Sequence, residues 1–96
     1  MIVSFGDKTT EDIFNGVNTK AARKISPELW PRLQSKLDLL NAGVTLNDLR
    51  IPPSNHLEKL RGDWAEFHSI RVNSQYRVVF QFMNGNATHV QCTDYH

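Results

Sequence analysis

The chain has 96 residues, of which 40% are hydrophobic and 22% are charged, and these values fit one compact domain over residues 1–96. Eleven Lys plus Arg against ten Asp plus Glu give a formal net charge of +1. This near balance excludes the strongly basic coat of a non-specific nucleic-acid binder and the charge of an acidic tail protein. Any surface that binds phosphate must therefore be local.

The cysteine content and the hydropathy pattern predict the cellular compartment. The single Cys92 cannot form an intrachain disulfide, so a reducing compartment is expected, with the cytoplasm as the default. No run approaches the roughly 18 apolar residues of a membrane span, and the amino terminus lacks the basic-then-apolar order of a signal peptide. The sequence predicts a soluble, unprocessed protein.

Helix signals dominate the first half of the chain. Residues 8–14 have the polar-then-apolar order of a short helix, which Asn15-Gly16 would end. A longer helix is predicted to begin at Ser26-Pro27-Glu28, where Ser is a good N-cap and Pro a good first residue, and to end near Gly43. Thr45 is the expected cap of a one-turn helix. The apolar stripe of the longer helix is Leu29, Leu33, Leu37 and Leu40.

Strand-length apolar runs follow in the second half. They predict strands over 57–60, 67–72, 76–83 and 88–94, with turn residues between them. Helices first and hairpins second predict an α+β fold, in which two N-terminal helices pack on one face of a small, mostly antiparallel sheet. The opposite face of the sheet is predicted to stay open to solvent or ligand.

A three-residue loop at 73–75 would place Arg71 directly opposite Arg77 on the more polar face of the sheet. Like charges directly opposite each other are unfavourable. Two explanations stay open from the residues alone: an anion, such as an RNA phosphate, lies between the two guanidinium groups, or both arginines are simply solvated at the surface.

The second hairpin can be connected in two ways. Asn84-Gly85 is typical of a two-residue turn, which would pair Phe80 with His89, whereas a three-residue loop pairs Phe80 with Val90. We predict the three-residue loop, because it pairs two apolar residues. The register of the first hairpin places His68 on the apolar face, and His89 is expected to be a rim residue.

Several segments together indicate a family. They are the block PPSNHLEKLRGD at 52–63, HSIRVN at 68–73, YRVVF at 76–80 and the C-terminal Asp94-Tyr95-His96. In this order, they resemble the HigB branch of the RelE-like toxins of toxin–antitoxin modules. The likeness extends to residues 1–5 and 46–50, so it covers nearly the whole chain. His56, Trp64 and Glu66 depart from the family pattern.

The resemblance implies an endonuclease that cleaves translated mRNA in the ribosomal A site, without a metal or other cofactor. In such enzymes the ribose 2′-hydroxyl attacks the adjacent phosphate, which leaves a cyclic phosphate and a 5′-hydroxyl. No cluster of His, Cys or carboxylate residues in the sequence has the spacing of a metal site. The implied catalytic residues are Arg71, Arg77, Asp94, Tyr95 and His96, with His56 as a lesser candidate.

These residues can supply the groups that such a reaction needs. Arg71 and Arg77 form the expected phosphate clamp, and His96 can act as acid or base near neutral pH. Asp94 and Tyr95 are candidates for orienting His96 or for sharing the proton transfers.

Further basic residues are candidates for RNA contact. Lys59 and Arg61 precede the arginine strand and are expected to contact the RNA backbone. Residues 20–36 concentrate positive charge, which could grip ribosomal RNA or could be an ordinary solvated helix face. The basic residues of this segment are Lys20, Arg23, Lys24, Arg32 and Lys36.

The implied partners are the ribosome, mRNA and a cognate helix-turn-helix antitoxin of the HigA type. The toxin would reach operator DNA only through this antitoxin. Two alternatives remain on the resemblance: an inhibitor of DNA gyrase like the ParE toxins, which share this kind of fold, or an inactive relative that only binds the antitoxin. The opposed arginines and the terminal Asp94-Tyr95-His96 favour RNA cleavage.

Overall fold

The computed structural model describes residues 1–94, so Tyr95 and His96 lie outside the described residues. The elements are helices α1 (Lys8–Phe14) and α2 (Trp30–Ala42) and strands β1 (Glu58–Lys59), β2 (His68–Arg71), β3 (Tyr76–Met83) and β4 (Asn86–Asp94). The strands form one antiparallel sheet in the order β1-β2-β3-β4. The predicted α+β class and the antiparallel meander are confirmed. Within residues 1–94, neither helix has the length and apolarity that crossing a membrane requires.

The amino-terminal segment joins the sheet beside β4. Ile2 and Phe5 form isolated parallel bridges to Ala87 and Val90, so the strand-like run at the start of the chain is paired at its beginning and end. Asp7 then caps α1, because its side chain accepts a hydrogen bond from the Thr10 N–H at 2.8 Å. The helix predicted over 8–14 is therefore confirmed.

The longer helix begins at the predicted position, but with a 3₁₀ turn and without the predicted side-chain cap. Ser26 makes no side-chain cap, Pro27–Leu29 forms a 3₁₀ turn, and α2 begins at Trp30. The reason is Pro31, which has no N–H to donate to the Pro27 carbonyl, as an α-helix starting at Pro27 would require. The Trp30 N–H bonds to that carbonyl instead and closes a tighter turn.

The predicted three-residue loop of the β3–β4 hairpin is also wrong. Met83 pairs with Asn86, so the loop is the two-residue turn Asn84-Gly85, and both residues have positive φ, 52° and 80°. Such values are typical of a type I′ turn. Further from the turn the pairing shifts by one residue, and His89, with φ 55°, is the extra residue on β4.

The buried apolar residues form one main core between the helices and the sheet. Its largest fully buried members are Ile13, Leu33, Leu37, Leu40, Leu49, Ile70, Val78, Phe80 and Val90. The opposite face is not open throughout, which corrects the prediction: Ser69 and Val79 are both 0% exposed and lie outside this cluster. Trp64, Phe67 and His89 form a row of ring contacts nearby, with centroids 4.9 and 6.3 Å apart.

Candidate functional site

Arg71 and Arg77 are directly opposed on neighbouring strands. They are Cα partners in the β2–β3 ladder, and Arg77 is in turn the partner of Thr93 on β4. The three-residue loop at 73–75 produces this register, as the sequence predicted. The pair therefore places two cationic side chains next to each other at the end of the sheet where β4 approaches the carboxyl terminus.

Arg77 is held by neutral acceptors. Its Nε donates to the Ser69 hydroxyl oxygen at 2.7 Å, and its Nη2 donates to the His56 carbonyl oxygen at 2.6 Å. Ser69 is fully buried, so one end of this contact is fixed within the sheet. Neither acceptor carries a negative charge, and within residues 1–94 neither Arg71 nor Arg77 forms an ion pair. The guanidinium group of Arg77 is thus oriented by neutral groups, with no ion-pair partner among residues 1–94.

Arg71 is oriented by the loop that follows it. Its Nε donates to the Asn73 carbonyl oxygen at 3.1 Å, and its side chain is exposed. The Asn73 side-chain oxygen accepts the N–H groups of Gln75 and Tyr76 at 2.9 and 2.7 Å, which fixes the loop conformation. The two Nη groups of Arg71 have no hydrogen-bond partner among the described residues and stay available for an anion.

The segment after Pro52 is organised around a buried amide. Asn55 is fully buried, and its Nδ2 donates to the carbonyl oxygens of Leu49 and Ile51 at 3.1 and 3.3 Å. Its Oδ1 accepts a hydrogen bond from the Lys36 ammonium group on α2. His56 follows in the left-handed conformation, with φ 45°, and its carbonyl oxygen faces Arg77. This small network connects α2 to the arginine pair.

A cleft of about 360 Å³ lies between α2, this segment and the end of β2. We call it the basic cleft. None of the described residues that line it is acidic, and burial, followed by the positive charge of Arg32, lowers the pKa of Lys36. The lining side chains with polar groups include Arg32, Lys36, Ser54, His56, Arg71 and Ser74. The cleft is therefore suited to an anion.

The predicted RNA-contacting lysines and arginines lie elsewhere. Lys59 and Arg61 line a separate cleft of about 510 Å³ beside β1. Lys20, Arg23 and Lys24 are exposed in the segment that follows α1, where the Arg23 Nη1 donates to the Asn18 side chain at 2.8 Å. None of these five residues lines the basic cleft.

The carboxyl-terminal candidates are only partly described. Asp94 is exposed at the end of β4, pairs with Tyr76 and accepts a hydrogen bond from the Gln75 amide at 3.1 Å. Tyr95 and His96, both predicted catalytic residues, lie outside the described residues. Asp94 is thus one ladder position beyond the Arg77–Thr93 pair.

The other two histidines are not part of the site. His68 is half-buried on β2, and its ring stacks on Phe80 with centroids 6.3 Å apart, as expected for the apolar face. His89 is exposed and contacts Phe67. Among the described residues, no three His, Cys, Asp or Glu side chains are grouped so that they could hold a metal ion.

Arg32 and Lys36 were not among the predicted site residues, although they were recognised as part of a basic segment. Their i, i+4 spacing on α2 could have shown that they share one helix face. That this face lies across a cleft from Arg71 depends on how α2 packs on the sheet, which the local pattern does not contain.

Solved structures show which fold this is. The chain aligns with the toxin–antitoxin complex YoeB–YefM from Staphylococcus aureus with a TM-score of 0.61 and 14% identity, covering 100% of this chain and 98% of the other. It aligns with a YafQ variant from E. coli with a TM-score of 0.64 and 12% identity, covering 98% and 93% of the two chains. The class of protein is therefore a small α+β domain with the fold of these proteins.

Sequence comparison gives the family. A family model described as "RelE-like toxin of type II toxin-antitoxin system HigB" matches residues 3–96. The chain is 40% identical over 87 residues to Toxin HigB-1 of Vibrio cholerae, which covers 91% of this chain and 90% of the relative. It is 31% identical over 65 residues to Endoribonuclease HigB of Proteus vulgaris, which covers 68% and 70%. This chain belongs to the HigB-like family of RelE-like type II toxins.

Proposed function

We propose that this toxin is a ribosome-dependent endoribonuclease that cleaves translated mRNA in the A site and so inhibits translation. The observation that carries the proposal is the Arg71–Arg77 pair beside the basic cleft: two guanidinium groups lie directly opposite each other, and neither has an ion-pair partner within residues 1–94. A relative from Proteus vulgaris is named an endoribonuclease, which supports the same activity.

The arginine pair suits the charge that develops during phosphodiester cleavage. The 2′-oxygen of a ribose loses its proton to a base and attacks the adjacent phosphorus, while the bond from phosphorus to the 5′-oxygen breaks. The leaving 5′-oxygen takes a proton from an acid, so the products are a 2′,3′-cyclic phosphate and a 5′-hydroxyl. Arg71 and Arg77 stabilise the negative charge on the non-bridging oxygens. Arg77, already held by Ser69 and His56, needs no reorganisation.

The carboxyl terminus is proposed to supply the proton transfers. His96 is the residue type that exchanges a proton near neutral pH, and Asp94 and Tyr95 are proposed to orient it or to share this role. Thr93 is the ladder partner of Arg77, so these three residues directly follow a position beside the clamp. His56 lines the basic cleft and remains a lesser candidate. No step requires a metal ion.

The proposed partners follow from the family. As a type II toxin, the chain is proposed to be neutralised by a helix-turn-helix antitoxin of the HigA type, and to reach operator DNA only within that complex. Its place of action is proposed to be the cytoplasm, on ribosomes that carry mRNA. Lys59 and Arg61, with Lys20, Arg23 and Lys24, are proposed to add contacts to the RNA backbone outside the cleft.

The test is to induce the wild type and the Arg77→Ala and His96→Ala variants in a bacterial host, and to map new 5′ ends on translated and untranslated copies of one transcript. Cleavage is expected on the translated copy alone, with 5′-hydroxyl ends, and to fall by about 10²–10³-fold in Arg77→Ala, as for the loss of one transition-state donor. His96→Ala should also lose cleavage.

Arg50→Ala is the matched control, because Arg50 is exposed and does not line the basic cleft. It should cleave like the wild type. Growth arrest with intact mRNA would contradict the proposal and point to gyrase instead. Normal antitoxin binding without either arrest or cleavage would identify an inactive relative, and 5′-phosphate ends would contradict attack by the 2′-hydroxyl.

A further inference from the structure

The wall of the basic cleft opposite the sheet is formed by two cations of α2. Arg32 and Lys36 are one helical turn apart, share a helix face and line the cleft across from Arg71. Arg32 is exposed and Lys36 is partly buried. Like charges four residues apart on one helix are unfavourable, and here no acidic residue among the described lining side chains offsets them.

Lys36 is held in place rather than extended into solvent. Its ammonium group donates one hydrogen bond to the side chain of Asn55, which is itself fully buried and fixed by two carbonyl groups. An ammonium group has three N–H donors, so two remain for another acceptor. Asn55 is neutral, and Lys36 forms no ion pair with any residue of the described range 1–94. The arrangement orients a cation toward the cleft without pairing it.

Arg71 lies between two groups of cationic side chains. On one side it opposes Arg77 across the β2–β3 ladder, and on the other it lines the cleft opposite Arg32 and Lys36. A guanidinium group has donors along two edges and can bind two phosphates that follow each other along a strand.

We infer that the basic cleft binds a second RNA phosphate, next to the one between Arg71 and Arg77, with Arg32 and Lys36 as its ligands. This inference rests on the proposed function, because it takes the arginine pair as the place of the cleaved phosphate. The hydroxyl groups of Ser54 and Ser74, which also line the cleft, are further donors to that phosphate. The α2 residues act here as positioning residues, since they do not contact the cleaved bond.

RNA is favoured over an acidic protein segment as the ligand because its backbone connects two neighbouring phosphates. The backbone of a strand with one phosphate at the arginine pair must carry the neighbouring phosphate away from it, and the adjoining concave surface has no acidic residue among its described lining residues. An isolated carboxylate would leave either the pair or the cleft without a partner. The protein segment is therefore an outcome of the test and not a second proposal.

The test uses two short RNAs made resistant to cleavage by 2′-O-methyl groups: a dinucleotide with one internucleotide phosphate and a trinucleotide with two. Binding to the full-length chain is measured by calorimetry or NMR titration over a series of salt concentrations. The wild type should bind the trinucleotide more tightly, by about 5–20-fold, with a salt slope steeper by about 0.7.

The variant Arg32→Ala should lose this gain and bind both RNAs alike, whereas Arg77→Ala should weaken both. Lys36→Ala should act like Arg32→Ala, but it also removes the bond to Asn55, so Arg32→Ala is the decisive variant. The matched control is Arg50→Ala, which removes an equal charge from an exposed position outside the cleft. It should keep the full gain.

Equal affinity of the wild type for the two RNAs, or an unchanged gain in Arg32→Ala, would overturn the inference. So would an Arg32→Ala variant that binds both RNAs normally but no longer binds its antitoxin, because the cleft would then take an acidic protein segment. The two proposals can fail separately. If the wild type shows the Arg32-dependent gain but cleaves no mRNA, the second phosphate position is supported and the proposed nuclease activity is contradicted. If the wild type cleaves mRNA but its RNA binding does not depend on Arg32, the second phosphate position is contradicted and the nuclease activity is not.

Discussion

The two faces of the sheet follow different physical rules. On the face covered by the helices, Ile70, Val78 and Phe80 are fully buried in the main core. On the opposite face, between and beside those residues in the same strands, Arg71 and Arg77 oppose each other without an acidic partner among the described residues. The first face stabilises the fold, whereas the second maintains a repulsion that the fold must tolerate.

The opposite face is supported where the arginines need support. Ser69 and Val79 are buried on this face, and Arg77 donates hydrogen bonds to a hydroxyl and a carbonyl oxygen. Acidic partners would stabilise the charges better, but they would also occupy the donors and repel a phosphate. The proposed anionic ligand would use this face, whereas the covered face serves packing.

The largest expected loss of stability is in the main core, and it should exceed the loss at a buried residue outside that core. Leu37→Ala should lower the free energy of unfolding by about 2–5 kcal/mol, because Leu37 is fully buried in the main core and its removal leaves a cavity. Leu60→Ala makes the same chemical change at a residue that is 5% exposed and outside that core, and its loss should be at the lower end of that range. Urea unfolding of both variants measures the difference. A loss at Leu60 equal to or above that at Leu37 would contradict the ranking.

Much of the sheet could be predicted from the sequence, because register follows from side-chain alternation and loop length. The opposition of Arg71 and Arg77 depends only on the odd length of the 73–75 loop, and the structure confirms it. In the second hairpin the predicted loop length was wrong, although beyond the bulge Val78 pairs with Cys92 as a three-residue loop would require. The two-residue turn of Asn84-Gly85 and the bulge at His89 compensate each other, and one extra residue in β4 cannot be seen in a pattern of alternation.

The features of the candidate site that depend on neighbouring residues could be predicted from the sequence, whereas those that depend on contacts between distant segments could not. The polar block that begins at Pro52 was recognised, but the role of Asn55 as a buried link from Lys36 to the sequence before β1 depends on where α2 packs. The partial closure of the opposite face, with Ser69 and Val79 buried, likewise depends on long-range packing that periodicity does not encode.

A smaller effect concerns His68, on the covered face. Its Nδ1 is buried and has no hydrogen-bond partner among the described residues. Burial, with the positive charges of Lys59 and Arg50, lowers the pKa of His68 below its ordinary value of 6.5. The unfolded chain therefore takes up a proton as the pH falls through 6.5, while the folded chain resists it. Stability from this residue is present above that pH and is lost below it.

The expected result is that the wild type unfolds at lower urea concentration at pH 5 than at pH 7.5, and that His68→Phe reduces this difference. Phenylalanine keeps a ring that can stack on Phe80 but does not titrate. Asp12 does not add to the pH dependence in this window: the hydrogen bond from Lys8 and then that from Thr19 lower the pKa of that carboxyl group from 3.8, so its contribution to stability is lost only at lower pH. An equal pH dependence in wild type and variant would exclude His68 as its source.

The smallest effect on stability, and the sharpest contrast with Leu37, is expected at Arg71. Because Arg71 is exposed and opposed by Arg77, Arg71→Ala should change the free energy of unfolding by no more than about 0.5 kcal/mol. The expected change is a gain, because the substitution removes a repulsion. Added salt should stabilise the wild type more than the variant, because screening relieves the repulsion only where both charges are present. Thermal unfolding over a salt series, with Arg50→Ala as the control, measures both quantities. A loss of about 2 kcal/mol or more in Arg71→Ala would mean that this arginine is a structural anchor, and the case for an anion between the two guanidinium groups would then lose its physical basis.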